Sequence, residues 1–467
     1  MAKYGYTDDP PPEAPGDDAG SEARSAYRAD LFAWDMKRRG IAFTGRSQAY
    51  RVGQVILSNE TLRAGFTALQ RADVSIVGEP ENILGRHTLL RIAGRPAPAA
   101  VAAVRELDEN VEISLNHVLF GQPGYVGNPA FVGNPAYVAN PAYVANPAYV
   151  ANPAYVANPN INGAIPVDDP HEWPDATPSH CGAIVAVLDT GLSTVDHKGQ
   201  DAAHPRLSQR VNLHAPWDAA EVIDATVVLE AADEDLLDEN RDKLLDRQAG
   251  HGTFISGILR RLAPEAEIQI EGCLTSFGDG DNASITRSLD QLVHRVGADN
   301  LDRLIVNLSL GGYVDPADPV SPLTGEIDRL VAAGAVVVAS AGNNNSCEPF
   351  YPASLPNVIG VGALACNERA WFSNFGGWVD ACAPGVDVVS TFVIGNFDAP
   401  EFGGIDPDDY QGYALWSGTS FAAPKVAAAI AREMARTGAT AAAAAAVVVR
   451  TPGLYRVPDL GTVVNLV

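Results

Sequence analysis

Ala183-Ile-Val-Ala-Val-Leu-Asp189-Thr-Gly191 is an apolar run that ends abruptly in a carboxylate and a glycine. The run is long enough for a buried strand and too short for most helices. Three similar runs follow, Leu304-Ile-Val-Asn-Leu-Ser-Leu310, Ala335-Val-Val-Val-Ala-Ser340 and Val358-Ile-Gly-Val-Gly-Ala363, with helical stretches between them. That alternation predicts an α/β domain with a mainly parallel sheet over residues 165–467. Asp189 would then project from the carboxyl end of a central strand, where open α/β sheets place their sites.

Upstream the pattern changes. Tyr50 to Leu57 reads as a strand, Glu60 to Ala72 as a helix and Asp73 to Val77 as a strand. A second round, His87 to Ile92, Pro98 to Glu109 and Val111 to Phe120, repeats the order. A β-α-β-β-α-β succession predicts a small α+β, ferredoxin-like sandwich over residues 49–120. Residues 1–48 open with Pro10, Pro11, Pro12 and Pro15 among five acids, too polar to offset the entropy of ordering, and read as a largely disordered leader.

Between the two domains, residues 121–164 carry a repeat of period six, Tyr-Val-Ala-Asn-Pro-Ala. A proline in every repeat removes a backbone donor and pushes the preceding Asn out of the helical region, so an extended tether is expected. Two readings stay open: a spacer, or an array of identical segments that a partner binds or a peptidase cuts. A hexapeptide β-helix fits less well, because each turn would lose a ladder donor.

The formal net charge of -25 argues against a nucleic-acid or anionic-membrane partner, which needs clustered Lys and Arg. The first residues hold no apolar signal-like segment, and no stretch is long enough to span a bilayer, which leads to an expected cytoplasmic location. Cys181, Cys273, Cys347, Cys366 and Cys382 are odd in number and form no C-x-x-C pair, so neither a disulfide framework nor a zinc site is expected and buried free thiols are.

Three short motifs carry chemistry. Asp189-Thr-Gly supplies a carboxylate at a strand end, suited to orienting an imidazole. His251 lies in Gly250-His-Gly-Thr-Phe, where glycines allow close approach and a neutral imidazole can act as a base. Ser420 lies in Ser417-Gly-Thr-Ser-Phe-Ala-Ala-Pro424, at the head of an Ala-rich helix whose amides favour negative charge nearby. Pro424 is expected in that helix's first turn. The Ser is not in a Gly-x-Ser-x-Gly elbow, which disfavours an α/β-hydrolase esterase.

In the order Asp, His, Ser, these motifs resemble the subtilisin-like serine peptidases, which implies the triad Asp189, His251 and Ser420 within a subtilisin-like three-layer fold. By the same resemblance, Asn343 in Ala341-Gly-Asn would donate to the oxyanion, and Ser309, Leu310 and Gly311 in Asn307-Leu-Ser-Leu-Gly-Gly would bind substrate. Gly278 and Gly280 in Gly-Asp-Gly would form the other cleft edge, and Phe350 would stand at the base of the P1 pocket, restricting it to small side chains. Residues 49–120 resemble the family's propeptide, which implies an inhibitory prodomain as a partner besides the polypeptide substrate, with self-processing near Leu119-Phe120. No cofactor is implied. The stretch after His251 runs straight to Leu262-Ala-Pro264 without the family's Asn-rich loop, so that calcium site is expected to be missing. Sedolisin-like peptidases replace the base His with a carboxylate and fit less well. A catalytically quiet protein that binds a partner through its repeats is the reading from another class. The acidic run 233–246 reads as a solvated helix.

Overall fold

Six consecutive residues of strand Ile184–Asp189 are buried, as a strand with helices on both faces must be. The computed structural model describes residues 30, 33–44, 48–121, 164–169, 173, 182–194, 203–207, 211–212, 233–239, 245–314, 321–397 and 408–464. The repeats at 125–160 and the Pro-rich stretch 1–20 lie outside them.

Two sheets organise the chain. In the N-terminal module, β1 (Ile41–Thr44), β2 (Gln48–Ser58), β3 (Ser75–Ile76), β4 (Glu81–Ile83), β5 (His87–Ala93) and β6 (Ile113–Gly121) are antiparallel, in the order β6-β2-β5-β3. Helices α1 (Leu62–Arg71) and α2 (Ala97–Leu107) cover one face, and Leu57, Leu69, Leu90, Val101, Val104 and Ile113 form the core between the layers. The β-α-β-β-α-β frame is the one the sequence implies, with two added strands. The boundary at residue 48 is corrected. Residues 33–38 are helical and β1 pairs with β2, with Met36 and Ile41 packed on Val118 and Phe120. The composition of the first 20 residues hid this short apolar stretch.

The second sheet holds β7 (Ile184–Asp189), β8 (Glu267–Gly272), β10 (Leu304–Leu308), β12 (Val336–Ser340), β13 (Val358–Ala365), β14 (Ala381–Pro384) and β15 (Gly461–Val463). All seven run parallel, in the order β15-β14-β13-β12-β10-β7-β8. Helices α3 (His251–Leu262) and α6 (Thr419–Thr437) pack on one face, against Val185, Val187 and Val338. On the other face, α4 (Asn282–Val296) and α5 (Pro322–Ala332) pack against Ile184, Ala186 and Val306. Both faces are therefore apolar, which explains why these strands read as unbroken hydrophobic runs.

One strand joins the two halves. Strand β6 pairs antiparallel with β9 (Asp279–Asp281) on one side and with β11 (Leu310–Gly311) on the other. The end of the N-terminal module thus lies between the two segments that the sequence marks as cleft edges.

Candidate active site

Asp189 is the last residue of β7, and its Oδ1 accepts from the Thr190 amide at 2.8 Å. The same oxygen lies 2.6 Å from His251 Nδ1. With Nδ1–H donating to the carboxylate, Nε2 carries the lone pair, and it makes no hydrogen bond among the described residues. The glycines of the two motifs explain how the turns touch: a Cβ on Gly252 would stand 2.1 Å from the Gly191 carbonyl oxygen. The imidazole is held laterally by Trp416 and Phe421, whose ring centroids lie 5.7 and 5.5 Å away.

Ser420 is the second residue of α6, after Gly418 and Thr419. Its hydroxyl donates to the Ser309 carbonyl at 3.2 Å and makes no hydrogen bond to His251. Pro424 is the sixth residue of this helix, in the second turn rather than the first. Without an amide it leaves the Ser420 carbonyl with no partner four residues on. Ser309 Oγ fills that vacancy at 2.9 Å and is itself held by Asn307 Nδ2 at 2.9 Å. Ser309 therefore braces the Ser420 backbone from outside the helix.

Asn343 follows β12. Its Oδ1 accepts from the Thr419 amide at 3.0 Å and the Thr419 hydroxyl at 2.9 Å. A backbone N–H can only donate, so the carboxamide's orientation is settled, and Nδ2 is its donor end. The Phe421 amide is committed to the Gly418 carbonyl, which leaves the Ser420 amide as the donor of this helix terminus nearest the Ser420 hydroxyl. Asp189, His251, Asn343, Ser309 and Ser420 are all fully buried.

The substrate-binding candidates surround β6. Leu310 pairs with Gly121, Gly311 with Phe120, Gly280 with Leu119, and the Gly121 amide donates to the Gly278 carbonyl at 2.8 Å. Phe350 is buried, edge-on to Tyr313 at 5.0 Å, and its ring atom would meet a Cβ on Gly311 at 2.3 Å. The ring fills the floor beside Gly311.

Residues 181–459, more than half of the chain, match the sequence profile described as the subtilase family, peptidase S8. The chain belongs to the subtilase family. Over 266 residues this subtilase is 32% identical to the thermophilic serine proteinase of Bacillus sp. (strain AK1), covering 54% of the chain and 52% of that relative. It is 32% identical over 197 residues to subtilisin NAT of Bacillus subtilis subsp. natto, covering 39% and 45%. Against subtilisin Savinase of Lederbergia lenta it is 31% identical over 260 residues, covering 54% and 75%. The subtilase thus spans about half the length of the first two relatives and three quarters of the third.

Several residues at the site carry no local motif. Asp235, read as part of a solvated acidic helix, is corrected to a buried group: Asp233, Asp235 and Asp246 are each at most 5% exposed, and residues 233–239 form no helix. Asp235 Oδ2 accepts from Thr190 Oγ1 at 2.7 Å and from the Gly250 amide at 2.7 Å, tying the Asp189 turn to the head of the His251 helix. Burial pushes its carboxyl up to about 7, against hydrogen bonds from Thr190, Gly250 and Leu237 that pull it down. Asp279 is the opposite case. Burial alone would raise it, but the Arg39 and Arg51 guanidiniums hold it at about 2. Arg39 Nη2 pairs with Asp279, Arg51 Nη2 reaches Asp279 at 2.9 Å, and Arg51 Nε reaches Asp281 at 3.1 Å, all buried between the module and the cleft edge. Cys273 and Cys382 are buried thiols, whereas Cys347 and Cys366 are exposed, and Cys181 lies outside the described residues.

After α3, residues 263–266 precede β8, with Glu265 as their one carboxylate. Among the described residues, no group of three or more His, Cys, Asp or Glu could hold a metal, and no helix is long and apolar enough to cross a membrane.

Proposed function

We propose that this subtilase is a serine endopeptidase whose N-terminal module is a prodomain inhibiting its own cleft. The observation that carries the reading is strand β6, paired on both edges with β9 and β11, as an extended peptide substrate would be. A substrate strand in the register of Val118 to Gly121 would put its next residue opposite Ser309. That residue is then P1, and Gly121, Phe120 and Leu119 stand at P2, P3 and P4. The Leu119-Phe120 bond lies inside the paired strand, away from the position opposite Ser309, so this register does not favour self-processing there.

The chemistry follows from the contacts. An incoming P1 amide pairs with the Ser309 carbonyl and takes that acceptor from the Ser420 hydroxyl. Rotation about the Ser420 side chain then turns the hydroxyl toward His251 Nε2, the free base. His251 takes the proton as Ser420 Oγ attacks the P1 carbonyl, and Asp189 stabilises the imidazolium through Nδ1–H. The oxyanion is met by Asn343 Nδ2 and the Ser420 amide. His251 returns the proton to the leaving amine, and water repeats the sequence to release the acyl group. Phe350 on the pocket floor restricts P1 to small side chains. Leu119 is buried with Leu274, Ile285 and Leu310, which favours an apolar residue at P4.

A fluorophosphonate probe and casein test the reading on the wild type and Ser420→Ala, with mass spectrometry over residues 115–165 to find self-made cuts. Labelling and casein hydrolysis by the wild type alone are expected. A wild type that neither labels nor cuts after the module is removed would refute it.

A further inference from the structure

Three residues before His251, a side chain unused by the mechanism above fills the cleft beside the bound strand. Gln248 is fully buried, and its backbone N–H donates to the Ser276 carbonyl at 2.9 Å. Its Nε2 donates to the Gly121 carbonyl at 3.1 Å. The carboxamide is wedged between two glycines. A Cβ on Gly121 would stand 2.0 Å from Gln248 Oε1 and 3.3 Å from Leu274 Cδ1. A Cβ on Gly278, whose φ is +86°, would stand 2.0 Å from Gln248 Cδ. Gly278 thus makes the room that Gln248 occupies, and Gln248 occupies the room that a side chain at the position of Gly121 would need.

From this wedge we infer that Gln248 is a specificity-determining residue that selects glycine at P2. The inference rests on the reading of β6 as a substrate-like strand, which makes Gly121 the P2 residue. A larger P2 residue meets Oε1 first, and to admit it Gln248 must swing away from a closed, buried site. That movement breaks its hydrogen bond to the P2 carbonyl and leaves a buried amide to find new partners. Glycine avoids both losses and keeps its carbonyl gripped one residue before the bond to be cut. The cleft therefore reads P2 by exclusion, with a neutral hydrogen bond rewarding the one residue that fits.

Two peptides that differ only in Gly or Ala at P2, with Leu at P4 and Ala at P1, test this on enzyme freed from its module. Wild type is expected to favour the Gly peptide in kcat/KM by about tenfold or more. In Gln248→Ala the ratio is expected to fall to within about threefold, with Gln248→Asn between the two. A wild type with no preference, or a preference untouched in both variants, overturns the inference.

A second measurement needs no turnover. In full-length Ser420→Ala protein, adding Gly121→Ala is expected to raise amide exchange across residues 113–121 by about tenfold. Adding Gln248→Ala as well is expected to cancel most of that increase. An equal increase in both backgrounds overturns the inference. Loss of protection in that strand before any change at 121 or 248 would instead remove the substrate-like reading itself.

Discussion

Replacing Arg51 with methionine would test how the module is held in the cleft. Arg51 belongs to the module, is 3% exposed, and spends its guanidinium on Asp279 at 2.9 Å, Asp281 at 3.1 Å and the Arg39 carbonyl at 3.1 Å. Methionine keeps the apolar stem and removes the charge, leaving Asp279 to Arg39 and Thr275. Breaking one side of a buried ion pair costs about 3–5 kcal/mol. Since Arg39 remains, the lower end applies, about 3 kcal/mol, or about 10²-fold in the docking equilibrium. The loss falls on docking because Asp279 and Asp281 rehydrate once the module leaves. The rate at which a fluorophosphonate labels Ser420 in the full chain measures the open fraction. It should rise by up to about 10²-fold in the variant, bounded by the rate of fully open enzyme. Raising salt on the wild type should not mimic the change, because buried pairs are weakly screened. Equal labelling rates in wild type and Arg51→Met, with unchanged far-UV circular dichroism, would refute the argument.

The acid side of the same contact carries a sign. Asp279 is held at about 2, below its ordinary 3.8, so its contribution to docking is full above about pH 4 and is lost as pH falls toward 2; labelling measured after pH jumps should show that window. Asp235 runs the other way. Its carboxyl is raised to about 7, so its contribution is full below about pH 4 and fades as pH rises through 7. Asp235→Asn, which keeps one oxygen for Thr190 and Gly250, should flatten the fall in Tm between pH 5 and 8, and parallel Tm curves would refute this. Asn343→Leu should lower kcat by about 10²–10³, the loss known for the equivalent donor in subtilisin, with little change in KM. Phe350→Gly should open the P1 floor, and a peptide library should then show Phe and Leu accepted there.

The contact of Asp189 with His251 and the place of Ser420 at its helix head were legible because each of the three sits in its own short motif. Gly191 and Gly252 are visible as motif glycines, and their spatial role, one turn against the other, is what makes Asp-Thr-Gly and His-Gly-Thr belong together. The parallel sheet was legible for a related reason: burial on both faces leaves runs such as Ile184–Asp189 with no polar alternation. What could not be read joins distant positions. Arg39 and Asp279 are separated by 240 residues, and nothing local to either marks a pair. Asp235 is one acid in a run of acids, and only the fold turns it toward Thr190 and Gly250. Gln248 is a polar residue next to Arg247 and belongs to none of the motifs. Its burial follows from two glycines elsewhere, Gly121 and Gly278, whose missing side chains define its place.

Strand β6 belongs to the module's sheet and also bridges two segments of the subtilase domain, so the two halves of the chain share one continuous ladder. Departure of the module would bare two facing strand edges at once, each a row of main-chain donors and acceptors indifferent to sequence. Any slack peptide can bid for such a slot, including loose ends of neighbouring copies. Enzyme newly freed at high concentration should therefore consume itself first, and a plentiful extended substrate should protect it simply by keeping the slot occupied.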